Sequence, residues 1–396
     1  MGHLGVDELA AVAYAQLCLD LSTLVFMQGF NGGMNSLCSQ AFGAKNYHLV
    51  GEYTLLTSLL LTVACAPMAL LWWNLDRLLL TAGVAEHVAF LEDMLASSYQ
   101  AQFIVLSTAV FDVLMVIFNC FFAIGLTLVS YVAYMNIYHR YHQQCSWRWD
   151  THFLNKEIVW NLVFVGVPLA AGELLENAQL TVLTLFAAKI GELQLGTHNA
   201  MMELFFFATS PLYAVIGGSV TRMGNHLGAG QPPYAIVAAR ICGVCIATLT
   251  VVNSVVIVST RRHLGRIFSD DPAVTTAFSQ VCSLAALAYT VLSFFCYALA
   301  VLQAQARPMP LALGMVAGAW LVGVPSAYWM GVHTAHPSLL GLWKGMICGY
   351  TVTSLASFYP AFVRPNWQEE ADKAVARSHL KEKELASPQE SDRLLA

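Results

Sequence analysis

The runs VFVGVPLAAGELLENAQLTVLTLF (Val163–Phe186) and MMELFFFATSPLYAVIGGSVTRMGNHLGAG (Met201–Gly230), separated by a short polar turn, decide how this chain folds. Each is long enough to cross a bilayer, which takes about 20 predominantly apolar residues. Between them they carry three carboxylates: Glu173, Glu176 and Glu203. An ionised carboxylate at bilayer depth costs about 2.5 kcal/mol or more, so such residues as a rule face a polar cavity and mark an ion or substrate path.

Composition sets the class around this stretch. The chain has 396 residues, 57% of them hydrophobic and 11% charged. A soluble globular chain carries about 25% charged residues, so composition speaks against a soluble enzyme. Mean hydropathy is +0.60, and the repeated apolar runs point to an all-α polytopic membrane protein. The net charge of −5 resides in loops and tail. The ten cysteines are scattered singly, mostly in apolar runs, where they behave as small hydrophobes. No cleavable signal peptide is visible, because the first apolar run is too long and lacks a basic flank.

About nine spans are expected, near Leu9–Leu37, Tyr53–Trp73, Phe103–Tyr138, Ile158–Ile190, Asn199–Val220, Ile236–Val258, Cys282–Leu302, Leu311–Met330 and Leu340–Phe362. Pro168 should kink or divide the fourth. Phe103–Tyr138 reads either as one long span or as two short ones turning at Asn119–Cys120. One span is favoured, because it collects Lys45, Arg140, Arg148, Lys156, Arg222, Arg307 and Arg364 on one face, as the positive-inside rule expects. TRRHLGR (Thr260–Arg266) then falls on the opposite face, against the rule.

An internal echo accompanies the spans. SLCSQAFGAKNYHLVGEY follows the first and SVTRMGNHLGAGQPPYAIVAAR follows the fifth. Aligning Gln40 with Asn225 superposes Gly43 and Ala44 on Gly228 and Ala229, an offset of 185 residues. Repeats packed around a central site are a common transporter design.

The motifs GHLGVDELAAVA (Gly2–Ala13), LCSQAFGAKNY (Leu37–Tyr47), RMGNHLGAGQPPYA (Arg222–Ala235), LGRIFSDDPAV (Leu264–Val274) and GLWKGM (Gly341–Met346) occur in this order. Together with the spacing from Pro168 to Glu176 and with Glu203, they make the chain similar to the multidrug and toxic compound extrusion (MATE) family, eukaryotic type. The resemblance covers nearly the whole chain. It implies a two-lobe helical bundle that exports organic cations in exchange for ions through membrane-embedded acids.

Glu176 and Glu203 match the family's acids. Glu173, three residues from Glu176 on one helix face, is either a partner acid or lines the same cavity, and Glu203 is read alternatively as an interfacial residue near a helix start. A further family acid falls on Thr181, and the acid of the tenth helix has no counterpart between Leu287 and Leu302. Asn177, Gln179, Thr181, Tyr213 and Tyr297 are candidate substrate-lining residues. Gln40, Gly43, Gly224, Asn225, Gly228 and Gly230 form the cytosolic turns.

The expected organisation is an incomplete N-terminal lobe (1–138), a cytosolic inter-lobe loop (139–157), a six-helix C-terminal lobe (158–363) and a disordered cytosolic tail (364–396). The first-lobe shortfall reflects either an incomplete gene product or a reduced relative. In the second case the chain is a transport-inactive partner of a full-length transporter. Expected partners are the lipid bilayer, small organic cations and protons in preference to sodium, with a monomer at the plasma membrane or a vacuolar or endosomal membrane. No cofactor, metal or nucleic acid is expected. Cys242-x-x-Cys245 lacks a basic neighbour, and His139, His142 and Cys145 lack an acid ligand nearby.

Overall fold

In a computed structural model, residues 25–73, 151–268, 272–363 and 366–378 are described. The expected span Phe103–Tyr138, the inter-lobe loop up to residue 150 and the motif Gly2–Ala13 lie outside them. The described helices are α1 (Val25–Gly43), α2 (Tyr47–Trp73), α3 (Lys156–Ile190), α4 (Glu192–Gly228), α5 (Pro232–Phe268), α6 (Pro272–Ala304), α7 (Met309–Val332), α8 (Leu339–Val363) and α9 (Trp367–Ser378). Seven of them, α2 to α8, are long and apolar enough to cross a bilayer.

The chain divides into two compact units, Met1–Met27 with Leu55–Phe153, and Gln28–Thr54 with Leu154–Ala396. The second unit thus holds most of α1 and the start of α2 as well as α3 to α9. Within it α6 is central, with 61% of its most apolar window buried, whereas α5 has 22%. The exposed face of α5 is a run of Val237, Ile241, Val244, Val251, Val252 and Val255, suited to lipid.

Pro168 neither ends nor divides α3, which runs as one helix for 35 residues. Its missing N–H and ring leave the carbonyl four residues back unpaired, a local cost that packing offsets. Asn155 starts α3 by accepting from the Glu157 N–H at 2.9 Å. Gly191, extended at φ 158°, separates α3 from α4. α7 and α8 pack through small residues along their length. A Cβ on Gly323 would lie 3.1 Å from Gly349 Cα and 3.2 Å from the Gly318 carbonyl oxygen, and one on Gly331 would lie 2.9 Å from Leu342 N. Parts of both helices, Val316–Gly323, Tyr328–Val332 and Tyr359–Val363, wind as π-helix.

The repeat legible in the sequence is a repeat of structure. After α1, the N–H groups of Ala44, Lys45 and Asn46 donate to the carbonyls of Gln40, Phe42 and Ala41. After α4, Ala229, Gly230 and Gln231 donate to Asn225, Leu227 and His226, the same pattern 185 residues on. α6 ends the same way, with Gln305, Ala306 and Arg307 donating to Val301, Gln303 and Leu302. Lys45, Gly230 and Ala306 hold φ of 61°, 66° and 54°. This is the left-handed closure of a helix C-terminus, and glycine supplies it without steric cost.

Left-handed backbone costs a residue with a Cβ about 1–2 kcal/mol. Gly230→Ala should therefore lower stability by about that amount, read as a fall in melting temperature in detergent. Lys45→Gly should leave the melting temperature unchanged or raise it.

The two turn-bearing helices cross reciprocally. A Cβ on Gly43 would collide with the carbonyl of Asn225, and a Cβ on Gly228 would collide with the carbonyl of Gln40. Gly224 stands against Ser39, its own equivalent at the same offset. Residues i and j of one repeat thus meet j and i of the other, which is how two like elements pack about a shared axis.

The tail expectation needs correction. Residues Trp367–Ser378 form α9, which is amphipathic and docked rather than disordered or merely solvated. Its Ala371 and Ala374, with Trp367 beside them, pack on Leu227 and Ala235. Residues from 379 on lie outside the description.

Candidate functional site

Two helix-adjacent acids, Glu173 and Glu176, line one pocket with Pro168, Leu169, Gly172, Phe295, Leu299, Leu311 and Met315. The pocket holds about 320 Å³ of space not filled by protein atoms, open solvent included. α3 presents the acids because positions three apart share a helix face, and Pro168 and Gly172 belong to the same wall. The opposite wall comes from α6 and α7, and it is apolar.

Depth follows from helix geometry. Glu176 stands fourteen residues before Ile190, hence ~21 Å from that end of α3. Glu203 stands eleven residues after Glu192, hence ~17 Å from the same end of α4. With α3 and α4 centred on a hydrocarbon core about 30 Å thick, Glu176 would stand near its middle and Glu203 nearer its edge.

α1 closes the other half of this unit. Gly29 is packed on Ala170, and a Cβ on Gly33 would lie 3.1 Å from Gly166. Gln303 Nε2 donates to the Gly32 carbonyl at 3.1 Å and Gln40 Nε2 to the Ala304 carbonyl at 2.8 Å. Ser36 Oγ donates to the Gln303 carbonyl, and Thr221 Oγ1 to Asn35 Oδ1 at 3.0 Å. This seal runs from Gly43 up to Gly29, which stands opposite Ala170. Glu173 is the next turn along α3.

The remaining expected residues divide. Tyr213 is 41% exposed and interacts electrostatically with Glu176, as do Cys296 and Tyr350. Cys296 and Tyr350 escaped the sequence reading, because apolar surroundings give a lone Cys or Tyr no distinguishing pattern. Asn177 and Thr181 are spent on their own helix: Asn177 Nδ2 donates to the Glu173 carbonyl and Thr181 Oγ1 to the Asn177 carbonyl.

Gln179 is fully buried and faces Gly323 on α7, behind the pocket rather than in its lining. Tyr297 requires correction: it stacks at 4.4 Å on Phe362 and covers Gly243. It therefore points away from the wall that Phe295 and Leu299 supply. Trp320, not anticipated, donates its Nε1–H to the Leu175 carbonyl at 3.0 Å and fixes α7 against α3.

Glu203 is exposed and is absent from that pocket's lining. Its neighbours one turn on, Phe206 and Phe207, are 49% and 81% exposed, and the exposed Ser210, Ala214 and Gly218 lie further along the helix. A Cβ on Gly217 or Gly218 would meet nothing within 4 Å.

Cys242 and Cys245 are free thiols, the first buried and the second exposed. Among the described residues no three His, Cys, Asp or Glu side chains converge as metal ligands.

Comparison with known proteins places this architecture. The family model described as MatE matches residues 1–138 and 168–329. Protein DETOXIFICATION 16 of Arabidopsis thaliana is 27% identical, over 95% of this chain and 85% of that protein. The alignment runs over 421 positions, and 396 residues cannot fill them, so at least 25 positions of that relative lack a counterpart here. Protein DETOXIFICATION 3 of the same plant is 26% identical over 97% of this chain and 88% of its own length.

The crystal structure of the eukaryotic MATE transporter AtDTX14 superposes with a TM-score of 0.79 at 21% identity, covering 95% of this chain and 92% of that one. An outward-facing conformation of a multidrug resistance MATE family transporter of the MOP superfamily gives 0.74 at 14% identity, covering 94% and 90%. With the family model spanning most of its length and this helical fold around it, the chain belongs to the MatE family of integral membrane transporters.

Proposed function

We propose that this chain is a secondary antiporter that exports organic cations in exchange for protons, with Glu176 and Glu173 as the alternating site. The observation that carries the reading is the pair of carboxylates on one face of α3, lining a pocket at mid-bilayer depth. Burial in a low-dielectric medium disfavours the charged form of a carboxylate. An acid in such a place binds either a proton or a cation to remain neutral overall, and one excludes the other. Proton loss toward one side admits cargo, and proton gain from the other side ejects it.

The rest of the lining supports protons over sodium. A hard cation needs several oxygen ligands, whereas Pro168, Leu169, Phe295, Leu299, Leu311 and Met315 present apolar side chains. The Phe295 ring instead suits an organic cation, with cation–π attraction worth about 0.5–2 kcal/mol. Glu203, exposed on α4, is the proposed second acid along the path. The Lys45 face is cytosolic by its lysines and arginines, so the α1 seal closes the cytosolic side. Loading and release toward that side then require α1 to part from α3, α4 and α6.

Purified protein in vesicles tests the reading. An outward-directed organic-cation gradient, opposed by an inward proton gradient, should give cation exit coupled to proton entry. Cation flux indifferent to the proton gradient contradicts it. A second reading, a transport-inactive partner of a longer relative, draws on the missing positions and on Thr181 standing where a family acid is expected. It requires that no cation in a broad panel be moved by this protein alone.

A further inference from the structure

Three helix ends on the Lys45 face carry the same left-handed closure, and α9 lies across all three. After α1, Asn46 Nδ2 donates to the Ser378 carbonyl at 2.7 Å and so caps the end of α9. After α4, Gly230 faces Val375, with a Cβ there 3.7 Å from Val375 Cγ2. After α6, Arg377 Nη2 donates to the Gln305 carbonyl at 3.3 Å, and Arg307 Nε pairs with Glu370 Oε1 at 3.8 Å.

A helix C-terminus leaves carbonyls unpaired and carries partial negative charge, which is where an arginine is favoured. Glu370 is only 5% exposed and is shared by Arg307 and Lys373, the latter at 3.2 Å. Arg377 also interacts electrostatically with Tyr53 on α2. Burial pulls its guanidinium below the ordinary value, opposed by Tyr53 and Glu370.

The contacts are unequal in a way that assigns a role. Trp367, Ala371, Ala374, Val375, Glu370 and Arg377 bind α9 to the second repeat, through α4, α5 and the α6 turn. Asn46 and Tyr53 belong to the first. Alternating access requires the two repeats to part on each face in turn.

We propose that α9 is a strap across the cytosolic face. It stays on the second repeat and holds the first through Asn46, and this grip must be released before the site opens inward. The inference rests on the antiport reading for its purpose, but its test does not need transport. Val375 over the Gly230 turn and Arg377 in the Gln305 turn hold the strap in register. Asn46 is the catch.

The test reads closure directly. Ser39, 5% exposed in the seal between α1 and α4, is replaced by cysteine, and its labelling by a membrane-impermeant maleimide is followed from the Lys45 side. Adding Asn46→Ala releases the catch while Arg377 and Val375 keep α9 on the second repeat, and it should speed labelling severalfold, since a lost hydrogen bond is worth that much. An unchanged labelling rate overturns the proposal.

In parallel, Asn46→Cys with Ser378→Cys is joined by a short bismaleimide. The cross-linked protein should lose slow-phase labelling at Ser39→Cys and lose cation flux, while each single-cysteine control keeps both. Absence of the cross-link by mass spectrometry, or full activity of the cross-linked form, also overturns it. If the wild-type chain moves no cation but the labelling still responds, the strap stands and the antiport reading fails.

Discussion

Glu176→Gln should reduce proton-coupled cation flux by about 10–100-fold, because a charged hydrogen-bonding partner worth about 1.5–3 kcal/mol is removed from cargo binding. The substitution keeps shape and hydrogen-bonding atoms while abolishing charge. It should therefore leave the melting temperature equal or higher, since an acid no longer has to be buried. That combination, lost flux with kept stability, separates a functional acid from a structural one. Glu173→Gln should fall less steeply, because Glu176 remains to carry the exchange.

Loss of closure is the second large effect. At Gly43 and Gly228 the space for a side chain is taken by backbone of the opposite repeat, the carbonyls of Asn225 and Gln40. Backbone does not swing aside as a side chain does, so overpacking here costs about 1–3 kcal/mol per site. Gly43→Val and Gly228→Val should each cut cation flux by tenfold or more and speed labelling at the seal. Combined, they should show less than the sum, because both push apart the same helix crossing. Gly217→Ala and Gly218→Ala, where a Cβ meets nothing, should leave flux unchanged. Flux measured on these five variants, normalised to folded protein, checks the account of the crossing.

How much of this was legible in the sequence depends on how each feature encodes itself. Spans of the second lobe were readable, because twenty apolar residues state their own environment. The turns were readable too, since Gly43, Gly228 and Gly230 mark close approach and left-handed backbone, and the offset of 185 brought them together. The reciprocity of Gly43 with Asn225 and Gly228 with Gln40 was not, because it is a contact between repeats and leaves no local pattern.

The site was half legible. Glu173 and Glu176 announce themselves as acids in an apolar run, and their pairing follows from spacing alone. Which aromatic residues faced them did not follow. Tyr297 lies two residues from Phe295, so it points across α6 toward Phe362, while Tyr213 and Tyr350 are near enough to Glu176 to interact with its charge.

α9 was misread for a comparable reason. Its buried stripe is Ala371, Ala374 and Ser378, residues too small to register as an apolar face. The surface that receives them is built from three distant turns. Pro168 was expected to kink or divide its span, and α3 runs through it undivided for 35 residues.

Competition between proton and cation at one carboxylate predicts a stoichiometry. Isothermal calorimetry of an organic cation binding to the purified protein, repeated in buffers of differing ionisation enthalpy, counts the protons released. About one proton should leave per cation bound at a pH where Glu176 is protonated before binding, and none in Glu176→Gln. Tight cation binding to the wild-type protein with no change in bound protons at any pH would contradict the account.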